Sequence, residues 1–433
     1  MQAPSVLITN AYSARNRGDA AIILGMIECL RRTDVFRDAE IRISTADHPA
    51  DSARYPAQTV PSFHSLKNGF SKSPSANLLY FLVVLLPFSL LWALAWRVGK
   101  FDLPLPTALH GLMRTYAAAD MVVAAGGGYL YTTSAIHGNV VLLRNVYCFF
   151  FAVLLGKPVS LYAQSIGPFA GRWQAWFVRL VLSTVSLVEV REEVSRRLLD
   201  GWKIPTPVRL VADAAFVLDA HPPSDDLEIV ETSGGLTVGI TVRKWFRDRE
   251  LQVGYERTIA AFVGWLVEER GAVVVFLPQV TYADGYDDDR EAARDVVASV
   301  TRIDRVRVVE DELAAAEVKW LCGQMDFFVG TRMHSNIFAL SSGVPTLAIA
   351  YQPKTEGIMS GLGLGECVLR IEDLALDELR RAFDDIVDRG PEIRDQLCST
   401  MREIQAEALE AGRLIGEAFI GWKDQQDDAG GGR

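Results

Sequence analysis

The chain has 433 residues, 49% of them hydrophobic, and a formal net charge of -10. At ~100–200 residues per domain this length predicts two large domains. The acidic balance, with a pI near 5.3, excludes a general nucleic-acid binder. The five cysteines, Cys29, Cys148, Cys322, Cys367 and Cys398, are scattered without a CxxC pair. That suits a reducing compartment and offers neither a disulfide framework nor a zinc site.

The chain reaches a strand almost at once, at residues 6–9. No basic segment, apolar core and cleavage site precede it, so a cytoplasmic location is expected. A helix is predicted over 19–32 and a strand over 41–45. Residues 77–96 then carry no charge at all, with Lys67 and Lys72 before them and Arg97 and Lys100 after. About 20 apolar residues can span a bilayer. A single span would separate strands that should share one sheet, so two short helical arms around Pro87, dipping into one leaflet, are the membrane reading. A buried insertion or a self-association surface is the alternative.

Further on, the pattern predicts a helix over 109–118, a strand over 121–124, a buried helix over 140–155 and a strand over 158–163. A helix over 173–183, a strand over 187–190 and a helix over 192–199 follow. Residues 218–235 have linker composition, with Pro222-Pro223-Ser224-Asp225-Asp226 and Ser233-Gly234-Gly235. Alternation restarts with strands at 237–242, 272–277, 305–309, 327–329 and 345–350, and with helices over 257–270 and 313–322. Helices fill 374–419. Continuous apolar strands separated by helices define a parallel α/β sheet covered on both faces. The fold class is therefore α/β, with a first domain over 1–218 (insertion 77–96), a second over 236–373, helices over 374–423 and a disordered tail over 424–433. Such domains bind ligands at the carboxyl ends of their strands.

Unusual turns fall at those ends. The first is Asn16-Arg17-Gly18-Asp19, where Gly18 permits a tight turn and Asp19 is placed to cap the next helix. The second is Gly126-Gly127-Gly128-Tyr129, whose glycines allow close approach of a ligand or of a packed helix. The third is Gln164-Ser165-Ile166-Gly167-Pro168-Phe169. Arg191 and Gln279 end two further strands. The most informative segment is Phe327 to Asn336, in which Thr331, Arg332, His334 and Ser335 sit between a strand and a helix start near Ser335. A helix N-terminus attracts phosphate or carboxylate. Arginine adds a bidentate anion donor and histidine a proton that moves near neutral pH. The segment reads as acid–base chemistry on an anionic substrate, or as a structural histidine capping its helix. No metal-ligand spacing, GxSxG or P-loop is present, so the sequence predicts no metal and no serine or cysteine nucleophile.

These landmarks, in this order, resemble the polysaccharide pyruvyl transferase family. The matching pieces include residues 16–22, 125–129, 164–169 and 190–192, Val211-Ala212-Asp213, Gly239-Ile240-Thr241 and Leu277-Pro278-Gln279. Gly330-Thr331-Arg332-Met333-His334 is the most specific, followed by Ser342-Gly343-Val344-Pro345 and Tyr351-Gln352-Pro353-Lys354. The resemblance covers about residues 6–365, and the insertion at 77–96 departs from it. It implies a GT-B-like fold of two Rossmann-like doubly wound domains facing a cleft. It also implies transfer of pyruvate from phosphoenolpyruvate to a sugar as a ketal, with release of phosphate and no cofactor or metal.

On that footing Arg332 and Arg191, with Thr331 and Ser335, are expected to hold the donor, and His334 to transfer a proton. Asn16, Arg17, Gly18, Asp19, Gly127, Gly128, Gln164 and Gln279 are cleft or acceptor candidates. The acceptor would be a glycan or a lipid-linked oligosaccharide, with peripheral membrane contact through 77–96 and no nucleic acid. Two rivals remain at this stage: a GT-B glycosyltransferase using a nucleotide-sugar, and a non-catalytic membrane-tethered scaffold for glycan assembly.

Overall fold

The structure, a computed structural model, describes residues 3–66, 76, 79–132, 136–223, 235–282 and 288–430. The chain divides into two compact units. The first comprises Met1–Ala14, Ile22–Val217 and Glu407–Arg433; the second comprises Arg15–Ala21 and Leu218–Ala406. Most of the expected linker, residues 224–234, lies outside the described residues, as do Lys67, Lys72 and the first two residues of the 77–96 run.

In chain order the first half holds β1 (Ser5–Ala11), α1 (Arg17–Arg31), β2 (Glu40–Thr45), β3 (Gln58–Pro61), α2 (Leu86–Gly99), α3 (Thr107–Ala118), β4 (Met121–Ala124) and β5 (Gly127–Leu130). There follow α4 (Ile136–Leu154), β6 (Val159–Ile166), α5 (Arg172–Leu182), β7 (Leu187–Val190), α6 (Glu193–Trp202) and β8 (Val208–Leu210). Among the described residues the strands form one parallel sheet in the order β3-β2-β1-β4-β6-β7-β8, with β5 beside β6. Apolar runs such as Val6-Leu7-Ile8 and Met121-Val122-Val123 are buried throughout, as strands covered on both faces require. Trp92, Tyr116, Phe149 and Phe151 pack with Leu7, Val122 and Leu161 in this core.

The apolar segment is one helical run. A π turn, Phe81–Leu85, leads directly into α2, with Pro87 in its first turn. The two arms expected around Pro87 are thus joined. Proline has no N–H to give and is tolerated at a helix start, and the N–H of Leu86 reaches back to the carbonyl of Phe81.

The second half holds β9 (Thr237–Thr241), α7 (Arg249–Glu268), β10 (Val273–Phe276), α8 (Asp289–Val297), β11 (Val306–Val308), α9 (Ala315–Gly323) and β12 (Phe327–Gly330). Then come α10 (Met333–Ser341), β13 (Thr346–Ala350), α11 (Pro353–Gly361), β14 (Val368–Arg370), α12 (Leu376–Asp388) and α13 (Gly390–Gly430). The sheet order is β11-β10-β9-β12-β13-β14, all parallel. This is the 3-2-1-4-5-6 order of a doubly wound fold, whose direction of winding reverses between β9 and β12.

Helix α13 continues over 424–430, where composition alone suggests no order. From Glu407 on it belongs to the first unit. There Gly412 lies so close to α1 that a Cβ on it would stand 2.3 Å from the carbonyl oxygen of Cys29.

Candidate active site

Strand register gathers the site in the second unit. Thr241, the last residue of β9, pairs with Gly330 at the end of β12, and Gly330 pairs with Ala348 of β13. Residues just beyond these three points are therefore neighbours: Arg243, Arg332 and Tyr351. They sit at the winding reversal, where doubly wound sheets bind ligands.

Arg332 is the N-cap residue of α10, which starts two residues earlier than the sequence suggested. Its guanidinium grips Asp289, with Nε 3.2 Å from each carboxylate oxygen and Nη2 2.6 Å from Oδ1. Asp289 also accepts the backbone N–H groups of Gln279 and Val280 at 3.0 Å. Both side chains are buried, at 9% and 2% exposure. This carboxylate is fully hydrogen-bonded, so it fixes the guanidinium rather than leaving it to swing.

The hydroxyls of the turn hold its shape. Thr241 Oγ1 accepts the N–H of Thr331 at 3.0 Å and lies 2.9 Å from Ser335 Oγ, which donates to the carbonyl of Arg332 at 2.6 Å. The Thr331 hydroxyl meets Tyr255 Oη at 3.0 Å. Thr331 and Ser335 thus brace the backbone with their hydroxyls. The N–H groups of Met333, His334 and Ser335 open the helix, where intrahelical acceptors are lacking.

Three cations converge here. The Arg243 guanidinium lies 4.5 Å from the ring centre of Tyr351 and 5.1 Å from that of Trp245. Burial pushes the Tyr351 phenol up, yet Lys354, Arg243 and Arg332 around it bring its pKa below the ordinary tyrosine value. In a chain of net charge -10, this cluster is a local reversal of sign. Arg243, Tyr351 and Lys354 were not singled out as site residues from the sequence. Arg243 sits two residues past the end of β9, the same signal that marks Arg332 past β12.

His334 is half-buried. Its ring lies against Gly18: a Cβ on Gly18 would stand 2.2 Å from His334 Nδ1. The loop 15–21 belongs to the second unit and is pinned there by Arg17, expected from sequence to reach a ligand. Arg17 is 2% exposed; it donates to the carbonyls of Leu313 (2.9 Å) and Arg15 (2.6 Å), to the Thr281 hydroxyl and to Glu312. Its backbone N–H meets the carbonyl of Gln279 at 3.0 Å. Arg17 is thus a clamp.

The cap of α1 is Asn16, not Asp19. Asn16 Oδ1 accepts the N–H groups of Gly18 (3.0 Å) and Asp19 (3.4 Å), and its Nδ2 donates to Asp19. Asn16 stands one residue before the helix, where a side chain reaches the first free N–H groups, whereas Asp19 lies inside the first turn. Two buried amides at this edge, those of Gln279 and Asn336, have no hydrogen-bond partner among the described residues. Such groups cost about 1–3 kcal/mol each unless water or ligand meets them.

The remaining candidates belong to the first unit. Arg191, just past β7, is 2% exposed at its side chain, pairs with Asp213 and donates to Ser165 Oγ at 2.9 Å. Gln164 is fully buried; its amide nitrogen donates to the carbonyl of Ala125 and, at 2.7 Å, to Tyr129 Oη. It thereby holds the turn of Gly127 and Gly128, in which Gly127 has φ +137°. All five cysteines are free. Burial pushes Cys29 and Cys148 up to about 12.

These features define a two-domain α/β enzyme of the GT-B type. The chain is similar over 96% of its length to the UDP-GlcNAc 2-epimerase of Neisseria meningitidis solved with UDP-GlcNAc (99% of that chain, 12% identity, TM-score 0.59). It is similar over 96% to the sucrose-phosphate synthase of Thermosynechococcus elongatus (100% of that chain, 13% identity, TM-score 0.55). Those likenesses show the fold. Residues 16–353 match the polysaccharide pyruvyl transferase family, and the chain belongs to it. Amylovoran biosynthesis protein AmsJ of Erwinia amylovora is 29% identical over 427 residues, covering 95% of this chain and 97% of that protein. The chain is a polysaccharide pyruvyl transferase.

Proposed function

We propose that the β9–β12–β13 edge binds phosphoenolpyruvate and passes its pyruvate unit to two hydroxyls of one sugar as a cyclic ketal. The carrying observation is the convergence of Arg243, Arg332 and Lys354 on Tyr351. Among the described residues one carboxylate, Asp289, is tied into this set by Arg332, and three cations gathered around one phenol suit a donor with a phosphate and a carboxylate. The N-terminus of α10 adds backbone donors.

The chemistry needs a proton on the methylene carbon of the donor, which leaves C2 electrophilic. A sugar hydroxyl attacks C2, phosphate departs, and the second hydroxyl closes the ring. Of the two hydroxyl protons released, one balances the new methyl group and one leaves with phosphate. His334, seated against Gly18 and two residues after Arg332, is our choice for proton transfer. The acceptor is a sugar of a polysaccharide or of its lipid-linked precursor.

The test is phosphate release from phosphoenolpyruvate against a panel of free and lipid-linked glycans. His334→Ala should cut turnover about 10²–10⁴-fold with an unchanged melting curve; an active variant removes His334 from the mechanism. Phosphoenolpyruvate at a hundred times its Kd should stabilise the native state by about 2.7 kcal/mol. A melting shift with a nucleotide-sugar instead would favour a glycosyltransferase.

A further inference from the structure

We propose that the outward face of α2 docks this protein onto the surface of an anionic lipid bilayer. The inference stands on the surface alone, apart from the chemistry above. Helix 81–99 is apolar on every side, yet it is not a core helix. One side is buried, through Phe81, Leu85, Ser89 and Trp92. The other side presents Leu79, Val83, Leu90, Leu94, Val98 and Phe101, each 41–75% exposed. Ten of the nineteen exposed large hydrophobic residues among the described ones fall within 79–103. A helix at a protein surface normally turns polar side chains outward, so this face has an occupant.

Topology decides how a membrane could meet it. By length and composition the helix could cross a bilayer. However, β3 before it and β4 after it lie parallel in one sheet, together with β2 and β1. The chain enters and leaves this helix on the same side, so the helix lies along a surface instead of piercing it.

Charge and polarity decide the occupant. Between Leu79 and Trp96 the hydrogen-bonding side chains are turned from the outer face: Ser89 to Leu85 O and Tyr147 Oη, Trp92 to Asp102, while Tyr80 packs partly against the core. Protein interfaces carry about one hydrogen bond per 100–200 Å², whereas acyl chains require none. At the helix end the polarity changes. Arg97 and Lys100 are exposed there, and Lys100 is close enough to Lys157 to lower its pKa, although burial is the larger cause. Lys100 also lies 5.4 Å from the ring centre of Trp96, which stacks on Trp92. Of the carboxylates on this end, Asp102 is already held by Trp92, His110 and Arg114, and Asp120, which acts on Lys157, accepts from the N–H of Ser5. An apolar face bordered by tryptophan and cations matches the layering of acyl chain, interface and anionic headgroup.

The test is co-sedimentation of the full chain with vesicles of phosphatidylcholine alone and with one-third phosphatidylglycerol. At ~0.1 M salt we expect at least tenfold tighter binding to the anionic vesicles, weakening as salt rises. Leu90→Glu/Leu94→Glu should abolish binding to both. Lys100→Gln should lower binding to the anionic vesicles several-fold and leave binding to neutral ones unchanged. Melting curves and the shift with phosphoenolpyruvate should be unaltered in both variants, so failure here leaves the catalytic reading intact. The proposal is overturned if the wild-type chain stays in the supernatant with both vesicles, or if Leu90→Glu/Leu94→Glu binds as before. It is equally overturned if the wild type is a stable dimer that Leu90→Glu/Leu94→Glu converts to monomer without any vesicle binding.

Discussion

Each unit sets an arginine just past a strand and faces it with one carboxylate. In the first unit, Arg191 past β7 meets Asp213; in the second, Arg332 past β12 meets Asp289. Both pairs are nearly dry, at 2% and 3% exposure in one case and 9% and 2% in the other. The surroundings differ. Arg191 is completed by a neutral hydroxyl, Ser165, and its charge is spent. Arg332 is joined around Tyr351 by Arg243 and Lys354. A lone arginine at a strand end is therefore a poor guide to anion binding. Several cations gathered around one ring are the better one.

The largest expected effect breaks the first pair. Arg191→Gln strands Asp213 as a buried, unpaired charge, which should cost about 3–5 kcal/mol of stability, read by urea unfolding. Adding Asp213→Asn should restore much of it. Arg332→Gln should lose comparable stability and also donor affinity. Equal loss of donor affinity in Arg191→Gln, at temperatures where it is folded, would erase the distinction between the two edges.

The strands and the winding class were legible in the sequence because each strand is a continuous apolar run. Short, part-exposed β3, β5, β8 and β14 were not, since three or four residues carry no pattern. Of the site, Arg332, His334 and Gly18 were legible by residue type at a strand end. Their partnerships were not. Asp289 is 43 residues from Arg332, and Arg243 and Lys354 arrive by way of the register Thr241–Gly330–Ala348. Register comes from the packed sheet, which no local pattern reports. Arg17 was read as a ligand contact because Leu313, Thr281 and Glu312, which accept from it, come from places the sequence does not show to be close. The chemical type of a residue was readable; whether its charge was already spent was not.

Gly18→Ala comes next in size. The added methyl would overlap the His334 ring, and the ring is the part able to yield. We expect kcat to fall about 10²-fold through misplacement, with KM for phosphoenolpyruvate changed little. A variant with normal kcat would show that His334 is not held by this loop. Arg243→Gln should do the reverse, raising that KM about tenfold, or ~1.4 kcal/mol, with kcat nearly kept. If kcat falls instead, Arg243 acts on the transition state and the account from gathered cations is too simple.

The last effect is a slope in pH and not a single step, and it sharpens the contrast from the first unit. Glu189 in β7 is fully buried, and burial raises its carboxyl well above the ordinary value of 4.5, with Glu410 adding to the rise and the backbone at Ala163 opposing it. A carboxyl raised on folding binds its proton more tightly in the native state. Its contribution is therefore complete below about pH 4.5 and is lost as pH climbs towards the folded pKa. Glu189→Gln should remove this loss, so that variant and wild type diverge above pH 4.5 by at most about 1.4 kcal/mol per pH unit. Urea midpoints from pH 4 to 8 read the divergence. A constant gap between the two curves would mean that Glu189 is ionised in the folded protein and has a cation the burial argument lacks.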